Sequence, residues 1–267
     1  MVSTMKLNLL IATSLCCTPL LLAQSGHAAT TEQLAPKTTL PIVFTRGFDA
    51  NHAHTGDVVH ARTTQPVSLA GGGTLAAGAE VTGHVVAANG FAFDKTPYAA
   101  QKQSTLAVHF DSVSSNSVTL PLNVYVRAIA DPLTSWGATE SMGTDDTIAT
   151  RTQIGGDVLT PSQKEVVSQS GDVVGYNKRG GVYAHLISSV GNSPNGCDAS
   201  DTEQSMGLYS ASACGLYGFT GTTLQQTGRT GEPSTLVLSS NRVAPKVWKN
   251  STALLEVRST DSTVASR

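Results

Sequence analysis

"GGGTLAAGAEVTGHVVAANG", residues 71–90, is the stretch on which the fold turns. It opens on three glycines, Gly71, Gly72 and Gly73, and such a run suits either a phosphate-cradling loop or the bend of a β-hairpin. A phosphate loop of the GxxxxGK[ST] kind ends in a lysine, yet no lysine lies between Lys37 and Lys95. A dinucleotide loop must open a helix. Here the following residues alternate instead, with Val81, Gly83, Val85 and Ala87 on one face and Thr82, His84, Val86 and Ala88 on the other. Period two is the signature of a strand, so the glycines read as a bend that needs positive φ.

The same grammar extends in both directions. Leu40, Ile42 and Phe44 alternate with Pro41, Val43 and Thr45, and residues 57–69 continue as strand with Pro66 marking an edge or a bulge. Asn89-Gly90 signals a two-residue hairpin. Beyond it, Leu106, Val108 and Phe110 oppose Ala107, His109 and Asp111, and Ser114 to Asn116 form a turn. In "SVTLPLNVYVRAIA" (117–130), Val118, Leu120, Leu122, Val124, Val126 and Ala128 point inward, with Thr119, Asn123, Tyr125 and Arg127 outward. The pattern predicts a mostly β protein, with an antiparallel β-barrel or sandwich over 40–130.

Periodicity fades over 131–157, which reads as a loop or linker. Thr160, Pro161 and Gln163 then resemble a helix start, and predict one short helix near 161–170 stopping at Gly171. Short strand candidates return at "DVVGY", "GGVYAHLISSV", "GLYGFTGTTL", "STLVLSS" and "STALLEVRS". Residues 158–260 thus form a loop-rich β-region, either a separate domain or part of the same core.

Lys6 and the apolar run over 7–23 predict a cleaved signal peptide at 1–29, with no integral membrane span after cleavage. The product is exported: periplasmic, envelope-associated or extracellular. Cys16 and Cys17 fall in the signal, which leaves Cys197 and Cys214 to pair in an oxidising compartment. Such a bridge stabilises by about 3 kcal/mol on the chain-entropy estimate. A net charge of −2 provides no basic footprint for nucleic acid.

Chemistry is sparse. No G-x-S-x-G elbow occurs, and the mature chain has no SxxK. His52 and His54, with Asp49 or Asp57, are either a metal pair or a solvated loop. His84 and His109 lie on the polar faces of strand candidates that can pack against each other. Asp145 and Asp146 form one acidic cluster; Asp198, Asp201 and Glu203 form another, inside the disulfide loop, suited to solvent or to calcium. Trp136, Tyr209, Tyr217 and Trp248 leave a sugar-stacking platform open. No catalytic residue, metal-ligand set or cofactor follows from these patterns, and Cys197 and Cys214 are the assigned site residues.

An I-x-F strand, "GDVVHARTTQPV", "GAEVTGHV", "FDSV" and "LPL" follow one another between Leu40 and Ala130. This order resembles the β-barrel module of the TrbI/VirB10 family of cell-envelope proteins and related exported barrels. Members carry a cytoplasmic tail, a transmembrane helix and a Pro-rich stretch before the barrel, where this chain has a signal peptide. The resemblance implies an exported β-barrel in the envelope with other envelope proteins as partners. The expected function is that of a non-enzymatic envelope structural or interaction protein. The alternative is a secreted hydrolase or ligand-binding protein that uses loop carboxylates or histidines.

Overall fold

The computed structural model describes residues 33–258 except 94, 98–99, 117, 143–148 and 226–232. The expected signal peptide lies outside the described residues. In chain order the first elements are β1 (Thr39–Phe44), β2 (Phe48–Asp49), β3 (Val58–Thr63), β4 (Val67–Ser68), β5 (Thr74–Leu75), β6 (Glu80–Asn89), β7 (Ser104–Ser115), β8 (Val118–Pro121), β9 (Val124–Ala130) and the helix α1 (Pro132–Gly137). Then follow β10 (Arg151–Thr152), β11 (Val158–Leu159), β12 (Glu165–Val167), β13 (Val173–Lys178), β14 (Gly181–His185), β15 (Glu203–Ser205), β16 (Gly215–Tyr217), β17 (Thr223–Leu224), β18 (Thr235–Ser240), β19 (Lys246–Val247) and β20 (Thr252–Val257).

Ten strands form the larger sheet in the order β16-β9-β20-β1-β3-β6-β7-β18-β17, with β8 also paired to β7. Its apolar face gathers Leu40, Ile42, Phe44, Val85, Val108, Phe110, Leu238 and Leu255 into the main core. Strands from 40–130 and from the C-terminal β-region therefore share one sheet and one core. Of the two expected architectures the sandwich-like one forms, because no ladder joins the end strands β16 and β17 into a closed barrel. Curvature does bring β9 towards β18 at Ser234, whose N–H donates to the Val124 carbonyl and whose hydroxyl donates to the Leu122 carbonyl. At the β16 edge, the Asn192 amide accepts from the Leu216 N–H and donates to the Leu216 carbonyl, filling the position of a further strand.

The glycine run is the bend of the β4–β5 hairpin, with Gly72 at φ 83°. Asn89-Gly90, in contrast, is not a two-residue hairpin. β6 ends at Asn89 and its partner β7 begins at Ser104. A type I′ turn needs positive φ at both central residues, and neither Asn89 nor Gly90 has it. Gly90 instead lies close against Asn51, whose side-chain oxygen accepts from the Phe91 N–H.

The second sheet is an antiparallel meander, β10-β11-β12-β13-β14-β15. It includes the region where a helix was expected. Residues 161–170 are not helical: Thr160 to Gln163 make a turn, and Glu165–Val167 pairs with β11 and β13. The β-branched Val166 and Val167 satisfy their backbone groups in ladders, and Val166 enters the second core. The described residues hold their helix earlier, inside 131–157. Asp131 caps it by accepting from the Thr134 N–H, and Pro132 occupies the first turn. The same segment contains β10 and buries Gln153, Ile154 and Asp157.

The two layers meet on β9 and β20, which are buried along their whole length. A bulge sets the phase of β9. Leu254 pairs with Ala128 and Leu255 with Val126, so Arg127 is the extra residue. After it the faces exchange: Ala128 and Ala130 join the second core with Ile154, Val166, Met206 and Tyr209, while Ile129 joins the first. Ala128 thus faces opposite to the simple alternation, and Tyr125 and Arg127 point "outward" into a second layer rather than into water.

Arg127 is fully buried and ion-pairs with Glu256 at 2.9 Å. It also donates to the carbonyls of Asp198 at 2.6 Å and Ile187 at 2.7 Å. Tyr125 donates to the same Glu256 oxygen at 2.5 Å. Burial raises the Glu256 carboxyl above its usual value, opposed by the Tyr125 hydrogen bond and the Arg127 charge. The Cys197–Cys214 disulfide closes the loop that Arg127 grips. Asp157 fastens the same loop by accepting from the Ala211 N–H, and its burial raises its carboxyl above the usual value.

Replacing Arg127 strands a buried carboxylate. Arg127→Met is expected to cost about 3–5 kcal/mol in urea unfolding, and a loss below about 1 kcal/mol would show the pair to be dispensable. Asp157 gives a pH signature. A carboxyl raised in the folded state holds its proton more tightly there than when unfolded, so stability falls as pH rises from about 4 through the raised value. Asp157→Asn removes this loss, so its stability relative to wild type should grow from pH 4 towards neutrality. Urea midpoints at both ends would reveal it, and a constant difference would contradict it.

Candidate functional site

A cluster of titratable side chains lies on the solvent face of β3, β6 and β7. Register places His60 opposite Thr82 and His84 opposite His109. His60 Nδ1 lies 3.3 Å from Glu80, and His84 Nδ1 lies 3.0 Å from both Asp111 carboxylate oxygens. The His84 and His109 rings are 5.5 Å apart between centres, tilted by 45°. His109 Nδ1 approaches the Thr235 hydroxyl at 3.4 Å, and its Nε2 is 4.0 Å from Asp111.

A second bulge builds this cluster. Thr82 pairs with Ser112 and Gly83 with Phe110, which leaves Asp111 as the extra residue of β7. Asp111 and Ser112 therefore both reach the outer face, Asp111 beside His84 and Ser112 3.0 Å from the Thr82 hydroxyl. The backbones come so close that a Cβ on Gly83 would collide with the His109 carbonyl oxygen. Glycine inside a strand is the sequence mark of such an approach. That mark was available at Gly83, yet alternation alone does not single out Asp111 as the partner of His84.

The other sequence candidates disperse. In "NHAHTGD", His52 pairs with Asp49 at 2.8 Å, and His54 approaches Asp57 at 3.8 Å. Each histidine is thus tied to its own carboxylate within a turn. Burial of Asp49 acts to raise its carboxyl, but the hydrogen bonds from His52 and Asn51 together hold it below its usual value. Glu203 turns to Lys178 at 2.6 Å, and Asp198 contributes its backbone carbonyl to Arg127. Asp145 and Asp146 lie outside the described residues. Tyr209 is buried with its hydroxyl 2.9 Å from Thr252, while Trp248 packs on Phe219 and Trp136 is exposed on α1. Those aromatics form no shared platform. Among the described residues, no three His, Cys, Asp or Glu side chains are arranged to hold a metal ion, and no helix is long and apolar enough to cross a membrane.

Comparison with known proteins finds no matching family model, no matching curated protein and no matching solved structure.

The bulge makes a direct prediction. Gly83→Ala forces β6 and β7 apart and should cost about 1–3 kcal/mol through overpacking. It should also separate the His84 and His109 rings, read as a change in both imidazole NMR signals. Unchanged stability and unchanged signals would show that the close approach is not required.

Proposed function

We propose that this chain is an exported, non-enzymatic protein of the cell envelope that works by binding a partner protein. The observation that carries the reading is the exposed apolar face of α1. Leu133 and Trp136, one helical turn apart, are 72% and 60% exposed. Large apolar side chains in that position cost solubility and suit a contact surface. The helix beneath them is firmly seated: Ser135 hydrogen-bonds the Asp131 carbonyl and meets the Thr252 hydroxyl, and the Asp131 N–H donates to the Tyr217 carbonyl. A rigid helix presenting two large side chains binds without first ordering itself. The disulfide fits an oxidising compartment, and the order of strand motifs that resembles the TrbI/VirB10 barrel module supports the envelope.

A second reading, a secreted ligand-binding protein or hydrolase that uses histidines, is favoured by the half-exposed His84–Asp111–His109 group. Ligand binding fits it better than hydrolysis. The hydroxyl that meets a ring of this group is that of Thr235, which donates to the Pro233 carbonyl and belongs to a buried residue.

Photo-crosslinking in intact cells tests the first reading. A crosslinker at Trp136 should yield a defined adduct with an envelope protein, abolished by Leu133→Ser, while one at exposed Lys164 should not. Recovery of free monomer alone from both positions would overturn the proposal.

A further inference from the structure

We propose that His84 and His109 form a two-imidazole chelate for a borderline divalent cation of the zinc class, with Asp111 as the positioning carboxylate and water completing the shell. Imidazole nitrogens are the natural ligands of such ions, and a ligating histidine commonly donates its other ring N–H to a carboxylate. Both features are present here. Asp111 accepts from His84 Nδ1 at 3.0 Å, which sets the tautomer and leaves the Nε2 lone pair for the metal. The Nδ1 of His109 faces the Thr235 hydroxyl at 3.4 Å; its Nε2, 4.0 Å from Asp111 and outside hydrogen-bond distance, is the nitrogen offered to the ion.

The spacing suits the ion. A cation about 2.1 Å from one nitrogen of each ring would stand about 3.2 Å from each ring centre. With centres 5.5 Å apart, the rings would meet it at about 120°, near tetrahedral. The His84 and His109 side chains are 39% and 35% exposed, so the rotations that aim both nitrogens at one point have solvent to move through. The backbone below is preorganised, because the two residues are direct cross-strand partners and the Asp111 bulge is held by the close approach at Gly83. His60 is tied to Glu80 on the neighbouring strand and is not a ligand.

Zinc titration of the purified protein tests the proposal, followed by calorimetry and by long-range imidazole NMR. The expected result is one zinc per chain, with the Nε2 signals of His84 and His109 shifting together. His84→Gln and His109→Gln should each weaken binding at least tenfold, and Asp111→Asn by about tenfold. His60→Gln should leave it unchanged, and circular dichroism identifies any variant that has lost its fold. Binding that survives both histidine variants, or a shift confined to His52 and His54, would overturn the assignment. Zinc binding at this face does not depend on the α1 surface, so either proposal can fail alone.

Discussion

A guanidinium without access to water has to find its partners inside the protein, and in this chain that requirement joins two layers of structure. Arg127 reaches Glu256 on the neighbouring strand, the Ile187 carbonyl just past β14 and the Asp198 carbonyl in the loop above. The loop is closed by the disulfide between Cys197 and Cys214, so a covalent tie and a charged tie act on the same segment. Neither replaces the other. The disulfide limits how far the loop can open, whereas Arg127 determines where on the sheet it sits. Gln65 adds a neutral version of the same device, accepting from the N–H groups of Val182 and Gly207 while donating to the Val182 carbonyl.

Bulges create both polar clusters. At Arg127 the extra residue directs a cation into the space between the layers and reverses the facing of the residues after it. At Asp111 the extra residue brings a carboxylate to two imidazoles on the outer face. In each case the charged side chain keeps the face that alternation gives it, and the inserted residue shifts the facing of the residues that follow. The outcome depends on what covers that face. On β9 it is the second sheet and the disulfide loop, and on β6 and β7 it is solvent.

Much of the fold was legible in the sequence. The hairpin bend at Gly72, the strands about Ile42, Val85, Val108 and Leu238, and the pairing of the two late cysteines follow from period, turn chemistry and compartment. The errors have physical causes. Thr160, Pro161 and Gln163 carry helix-start chemistry, but Val166 and Val167 found backbone partners on two flanking strands. Asp131-Pro132 carried the same chemistry inside a segment that looked unstructured. Asn89-Gly90 had the residues of a tight turn without the positive φ. The candidate site was half legible: His84 and His109 could be placed opposite each other from alternation, but the role of Asp111 depended on a register shift.

By itself, the sequence determined the class of the protein, because the two-residue period of a strand and the demand of tight bends for glycine are local properties. It also determined that Cys197 and Cys214 were the cysteines left to pair beyond the expected signal. Only the tertiary structure decided which polar side chains are buried and which face water. Arg127 and His109 look alike in the pattern, each outward on an alternating strand. One is fully buried under a second sheet that begins some distance along the chain, and the other keeps 35% of its side chain exposed on the outer face. Burial depends on contacts between residues far apart in sequence, and no local period records them.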